Sequence, residues 1–458
     1  MSDERAADYR EVKERDGNFL RRWLFKNRVL VVLMVLAACV SQLWVAATPP
    51  WRAPDEPAHF GYLQYLDREQ AIPLATRAYY YPDLFESKNR TNFMGVFGYP
   101  STSMDLQTIE QNSAAGHPPL YYSLMYPAYE LTGGNAVESR LYFMRIVGIA
   151  FFVALIGVAY RFAVLLFPKA PYFQAGIPLL MILHPQLAFV GSGVMNDTLL
   201  TLFFTLFLYQ LAVFVIKDTS LRRALFIGII MGLGTLTKIS FVLAFPVGIV
   251  VFAALLAIRR DQRIMLMKAA GVTIGVSLAI CGWYFVRNFA ELGFLNPPGK
   301  VVLYNVDNWW DLWFATRFRA VMLGSFLGDF SWLTIPLYDN VLLWFRRLTE
   351  LSAIGLLAAL LLGLWRRRLE AIAPWIVTLF AGIFIAFFMA ASQFELNTGG
   401  AQGRYLFPAV FPFWTLVLVG LTGWMPPSWR GRATAVVVSA AAVLSVWALM
   451  VEYLPRVS

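Results

Sequence analysis

Asp55 and Glu56 lie in the run P-D-E-P-A-H-F-G at 54–61, so two adjacent carboxylates are followed almost at once by the imidazole of His59. The flanking Pro54 and Pro57 keep a helix from running straight through the pair. In extended or turn backbone, neighbouring side chains point in different directions, so the two carboxylates are expected to do different jobs, one as a base and the other orienting. A base must reach the proton it removes, and burial and neighbouring charge set its strength. Asp55, Glu56 and His59 together are also a ligand set for a divalent metal such as magnesium or manganese, although nothing in these residues requires a cofactor. A solvated turn closing a helix is the plain alternative.

Cationic residues near the ends of apolar runs form a second group: Arg140, Arg145, Lys238 in T-L-T-K-I-S, Arg287 with Asn288 in W-Y-F-V-R-N, and Arg404 with Tyr405 in A-Q-G-R-Y-L-F-P. Any one of them could reach to the lipid headgroups. An ionisable group at the edge of a membrane span tends to be paired or functional, and a set of them beside carboxylates suits an anion such as a lipid phosphate, which arginine binds through two parallel hydrogen bonds. His117 and His184 each precede a proline and fix local backbone geometry. Asn196-Asp197 reads as a cap for the apolar run after it in preference to a site element.

The elements that must position these residues are membrane helices. The chain has 458 residues, of which 59% are hydrophobic and only 14% charged, and its mean hydropathy is +0.59. These values exclude an ordinary soluble domain. The net charge of +10 gathers in short clusters between apolar runs, which is a topology signal and not a nucleic-acid footprint. Apolar runs near 29–47, 141–167, 174–190, 198–216, 222–237, 239–258, 266–286, 345–365, 371–391, 404–424 and 432–451 predict about eleven spans, the fifth and sixth of which could be one broken helix. Cys39 and Cys281 both fall inside apolar runs and predict no disulfide.

With residues 1–28 as a cytoplasmic tail, the first span is a retained anchor and 29–458 a single transmembrane domain. Lys169, Lys217, Arg222, Arg223, Arg259, Arg260, Arg263, Arg366 to Arg368, Arg430 and Arg432 then share the cytoplasmic side. The other side carries loops 48–140, 287–344 and 392–402, and with them every motif above. The Tyr- and Pro-rich first loop is expected to lie on the membrane. In the second, Trp309, Trp310, Trp313, Phe314, Phe318 and Val321 recur opposite Asp311, Arg317 and Arg319 and predict an interfacial amphipathic helix over 305–330.

P-D-E-P-A-H-F after the first span, H-P-P-L-Y-Y at His117, T-L-T-K-I-S, W-Y-x-x-R-N and Q-G-R-Y-L-F-P together resemble a family of bacterial membrane proteins grouped with the GT-C glycosyltransferase superfamily. The likeness covers roughly 29–425, and its first and last motifs are the most specific. It implies an all-α GT-C-like bundle in the bacterial cytoplasmic membrane, with an acidic motif in the first extracytoplasmic loop. It further implies a transferase that moves a sugar, with inversion, from a polyprenyl-phosphate donor to a glycan, lipid or protein acceptor of the cell envelope. In that scheme Asp55 is the base and Glu56 assists. Arg404, Lys238 and Arg287 hold the phosphate, and His59, His117, Asn288 and Tyr405 complete the substrate-binding set. A transporter or flippase of a lipid-linked glycan, or a non-catalytic envelope scaffold, is the alternative.

Overall fold

In lipid, a backbone must satisfy its own hydrogen bonds, so long apolar runs fold as helices. The computed structural model describes residues 27–457 apart from 76–77, 79, 94, 96–111, 294–307, 366–372 and 399; the N-terminal tail, Tyr79, Tyr99-Pro100 and Arg366 to Arg368 lie outside these. Eight described helices are long and apolar enough to cross a membrane: Arg28–Ala47, Val137–Leu166, Asp197–Ile216, Ile239–Ile258, Arg260–Leu292, Pro374–Asn397, Gly403–Thr422 and Pro427–Val457. Counted as one broken span, the pair Pro171–Ile182 and Pro185–Gly191, bent by 64°, brings the number to nine. Pro185 has no N–H with which to continue the first helix, so the chain turns at His184.

The other two expected spans are also helices. Leu221–Thr237 has 17 residues and packs against its neighbours Asp197–Ile216 and Arg263–Leu292. Asp339–Trp365 carries Arg346, Arg347 and Glu350 as exposed ion pairs in its first half. The fifth and sixth runs are separate helices, divided where Lys238 takes an extended backbone (φ −157°, ψ 137°).

Polar contacts join helix ends. Arg161 donates to Asn27 Oδ1, and Arg259 to Val215 O and Thr219 Oγ1, which ties these helix ends together in two pairs away from the 54–61 motif. That motif follows the other end of the Arg28–Ala47 helix. There the first loop folds into helices Glu56–Glu69, Pro82–Arg90 and Leu120–Leu131 around its own core, which includes Trp51, Phe60, Tyr62, Tyr121, Tyr122 and Tyr129. Tyr62, Tyr121, Tyr122 and Tyr129 are spent on internal packing, Tyr62 on Tyr122 with ring centroids 3.5 Å apart.

The amphipathic helix expected over 305–330 is two helices, Trp309–Phe314 and Thr316–Leu327, separated at Ala315 (ψ 119°). Their buried side is Leu312, Phe318, Met322 and Phe326, while Trp310 and Phe314 are exposed. A two-residue antiparallel hairpin, Asp329–Phe330 with Ile335–Pro336, follows, and the Trp332 indole in its turn donates to Trp51 O.

Candidate active site

The motif turns sharply at Asp55, whose left-handed backbone (φ 55°, ψ 6°) precedes the Glu56–Glu69 helix. Asp is among the few types that tolerate this region, and residues held in it cluster at functional sites. Pro57 sits at the start of the helix, where its missing N–H costs nothing. The turn sends the two carboxylates apart. Glu56 is fully buried and accepts from Arg145 Nε at 2.8 Å and Nη2 at 2.6 Å, and from Val194 N at 3.1 Å. Arg145 spends its remaining donors on Thr48 O and Pro49 O. A side chain at Gly193 would strike Ala53, so that glycine lets the 191–195 segment lie against the motif.

Asp55 points the other way, into a recess. Its Oδ2 is 2.5 Å from Arg404 Nη2, and its side chain, though surrounded by protein, keeps 40% of its surface accessible. Arg404 lies in the short Gly403–Ala409 helix, and Gly403 permits this because any Cβ there would collide with the backbone of Phe326 and Met322. Arg404 Nη1 stands 3.8 Å from Asp197 Oδ2, beyond hydrogen-bond range, and neither Nη1 nor Nε finds an acceptor among the described residues. Asp197, at the first turn of its helix, is 2.7 Å from Lys238 Nζ. Two carboxylates and two cations thus alternate around one recess. The Tyr405 ring completes it, 5.6 Å from both cations.

His59 and His117 form the next wall, stacked with centroids 5.7 Å apart and planes 6° from parallel. His59 Nδ1 is 2.8 Å from the Tyr122 hydroxyl. Burial, then the neighbouring His117 and Lys238, hold the His59 pKa down to about 3. Burial, then Lys238, holds that of His117 down to about 4. Both rings are neutral near pH 7. Burial alone would push Asp55 up, but Arg404 above all, with His59 and Lys238, brings it down to about 2, so it is ionised there.

Of the expected residues, Asp55, Arg404, Lys238, Tyr405, His59 and His117 come together. Arg287 does not join them: it donates to Ile72 O and Pro73 O, and Asn288 is buried one turn beyond Tyr284. Arg140 lies over the Tyr129 ring. Glu56 faces Arg145, so the three candidate metal ligands Asp55, Glu56 and His59 diverge, and no group of three His, Cys, Asp or Glu among the described residues could hold a metal ion. The residue that sequence reasoning missed is Asp197. Neither it nor Asn196 makes a side-chain capping hydrogen bond; Asn196 donates to Thr237 O, and the pair ties the helix start to Lys238. The signal was an acid at the same end of a span as the other motifs.

The fold of the bundle is similar to that of an archaeal oligosaccharyltransferase. The oligosaccharyltransferase of Archaeoglobus fulgidus in its apo form matches with a TM-score of 0.51 at 14% identity, over 94% of this chain and 56% of that one. The same enzyme, AglB, in complex with an inhibitory peptide and a dolichol-phosphate, matches with a TM-score of 0.51 at 13% identity, over 93% and 56%. ArnT from Cupriavidus metallidurans bound to undecaprenyl phosphate gives 0.48 at 15%, over 92% and 65%. The chain therefore spans between about half and two thirds of the length of these structures. A search of curated proteins finds no match. Residues 97–413 match the family described as Predicted membrane protein (DUF2142), and the chain belongs to that family. The matched stretch contains His117, Asp197, Lys238 and Arg404, and begins after the 54–61 motif.

Proposed function

We propose that the protein is a membrane glycosyltransferase that transfers a sugar, with inversion, from a polyprenyl-phosphate donor to a hydroxyl of a cell-envelope acceptor. The observation that carries this reading is Arg404, a buried guanidinium that touches Asp55 with one nitrogen and has two others without an acceptor among the described residues, with Lys238 across the same recess. Such a fork beside a second cation suits a phosphate. Arg404 and Lys238 take the donor phosphate. As Arg404 turns to it, Asp55 loses part of its cationic partner and becomes a stronger base toward the acceptor hydroxyl. The hydroxyl oxygen attacks the anomeric carbon from the side opposite the phosphate, and its proton passes to Asp55. The electron pair of the breaking bond leaves with the polyprenyl phosphate, whose added charge the two cations stabilise. Glu56 assists from behind by holding the turn through Arg145.

The recess faces the extracytoplasmic side in this reading, with the basic short connections and residues 1–28 in the cytoplasm and 29–458 as one domain of a bacterial inner-membrane protein. A cysteine at exposed Asn135, in a chain lacking Cys39 and Cys281, is expected to react with an impermeant thiol reagent in intact cells; protection until permeabilisation reverses the orientation.

The functional test is deletion of the gene followed by complementation, with the envelope glycans as readout. Wild type should restore a glycan that the deletion lacks, and Asp55→Asn, made at equal level, should not. Full restoration by Asp55→Asn removes Asp55 as the base.

A further inference from the structure

Next to the charged part of the recess lies a wall that the phosphate chemistry does not use. His117 is fixed through its backbone: its N–H donates to Ala114 O, its carbonyl accepts from the Tyr62 hydroxyl, and Tyr284 donates to the adjoining Gly116 O. Its ring is left free of such duty. Neither ring nitrogen of His117, nor Nε2 of His59, has a hydrogen-bond partner among the described residues, and His117, stacked on His59, is only partly buried. The His59 backbone N–H donates to Asp55 O at 3.0 Å, which puts the stacked pair at the edge of the charged cluster. Unpartnered ring nitrogens that are not sealed off by protein are open to a ligand's hydrogen bonds.

A neutral imidazole carries one donor and one acceptor nitrogen. It cannot serve a phosphate as a cation does, but it matches a hydroxyl, which both gives and takes a hydrogen bond. From these observations we infer that the stacked His59–His117 pair recognises hydroxyls of the sugar carried by the lipid phosphate, making it the element that selects the donor's sugar. This rests on the donor reading above. It separates two tasks within one recess: Arg404 and Lys238 bind the phosphate common to all such lipids, and the two histidines read what the phosphate carries.

The test holds charge constant. Undecaprenyl methyl phosphate has the phosphodiester and no sugar; a panel of undecaprenyl-phosphate-linked glucose, galactose, mannose, arabinose and N-acetylglucosamine adds one. Affinities are measured for the full chain in nanodiscs, and the readout is the ratio of sugar lipid to methyl lipid within each variant. Wild type should prefer at least one sugar lipid by about tenfold, the worth of one to two well-made hydrogen bonds. His117→Phe keeps a flat ring on His59 but no nitrogen, and its ratio should fall to about one. His117→Gln, which keeps a donor and an acceptor, should retain part of the preference. A wild type that binds the methyl lipid and gains nothing from any sugar, or a His117→Phe variant that keeps the full preference, overturns the inference and leaves the donor reading standing. If wild type binds neither these lipids nor undecaprenyl phosphate itself, the donor reading fails and takes the inference with it. A His117→Phe protein that does not fold leaves His117→Gln and His59→Gln to decide by the same ratio.

Discussion

Asp55 and Glu56 are covalent neighbours and each faces an arginine, yet the two pairs are opposites. Glu56 and Arg145 have no exposed surface, and the fork of Arg145 is used up on the carboxylate and two carbonyls. It joins the end of the first helix, the motif turn, the Val137–Leu166 helix and the segment at Val194. Arg404 holds Asp55 through one nitrogen only, and Asp55 stays open to the recess. A closed, fully satisfied ion pair holds structure; an open, half-satisfied one has donors to offer a ligand. In the proposed reading the acidic dipeptide divides into one residue for the fold and one for chemistry.

The largest effect that separates the two is on rate. Asp55→Asn keeps shape and removes the base, so transfer should fall about 10²- to 10⁴-fold, the usual worth of general acid–base catalysis. Its melting temperature should move less than that of Glu56→Gln, because Arg404 still has Asp197 nearby. Transfer at the wild-type rate would erase the distinction from one side. Glu56→Gln should act on stability instead. It leaves Arg145 buried with its charge uncompensated, a loss of about 3–5 kcal/mol for a broken buried pair. Removing both charges, as in Glu56→Gln with Arg145→Met, should cost less than the sum of the single changes. Thermal unfolding in detergent measures both, and an unshifted midpoint for Glu56→Gln would make that pair dispensable.

A smaller effect concerns pH. His59 and His117 titrate in the fold at about 3 and about 4, below the ordinary 6.5. As pH falls through that window the unfolded chain binds protons that the folded chain refuses, so stability is full above about 6.5 and declines toward 4. Asp55, held at about 2, stays ionised over nearly all of this range and contributes little to the slope. The midpoint should therefore drop between pH 7 and pH 4.5, and less steeply in His117→Gln. An identical slope in that variant would show that His117 is not held neutral by the fold.

Much of this comparison was legible in the sequence and part was not. The prolines around Asp55 and Glu56 announced a turn and a divergence of the two carboxylates, and Q-G-R-Y-L-F-P announced an arginine at a span end with a glycine beside it. Lys238, at the break in T-L-T-K-I-S, also found the recess. The one-dimensional pattern could not give direction around a helix or distance across the bundle. Arg287 and Arg145 lie near the same face as Arg404, but one turns to loop carbonyls and the other to Glu56. Asp197 read as a cap because Asn-Asp before an apolar run usually is one; its partner Lys238 is 41 positions away. Nor does an apolar run reveal that Pro185 will bend it.

The role proposed for Arg404 as a holder of lipid phosphate is decided by the affinity of the purified chain for undecaprenyl phosphate in wild type, Arg404→Lys and Arg404→Ala. Loss of the fork should weaken binding by about ten- to a hundredfold in Arg404→Ala, and lysine, which keeps the charge without the fork, should recover only part. Equal affinity in wild type and Arg404→Ala would contradict the account and leave Arg404 as a structural partner of Asp55.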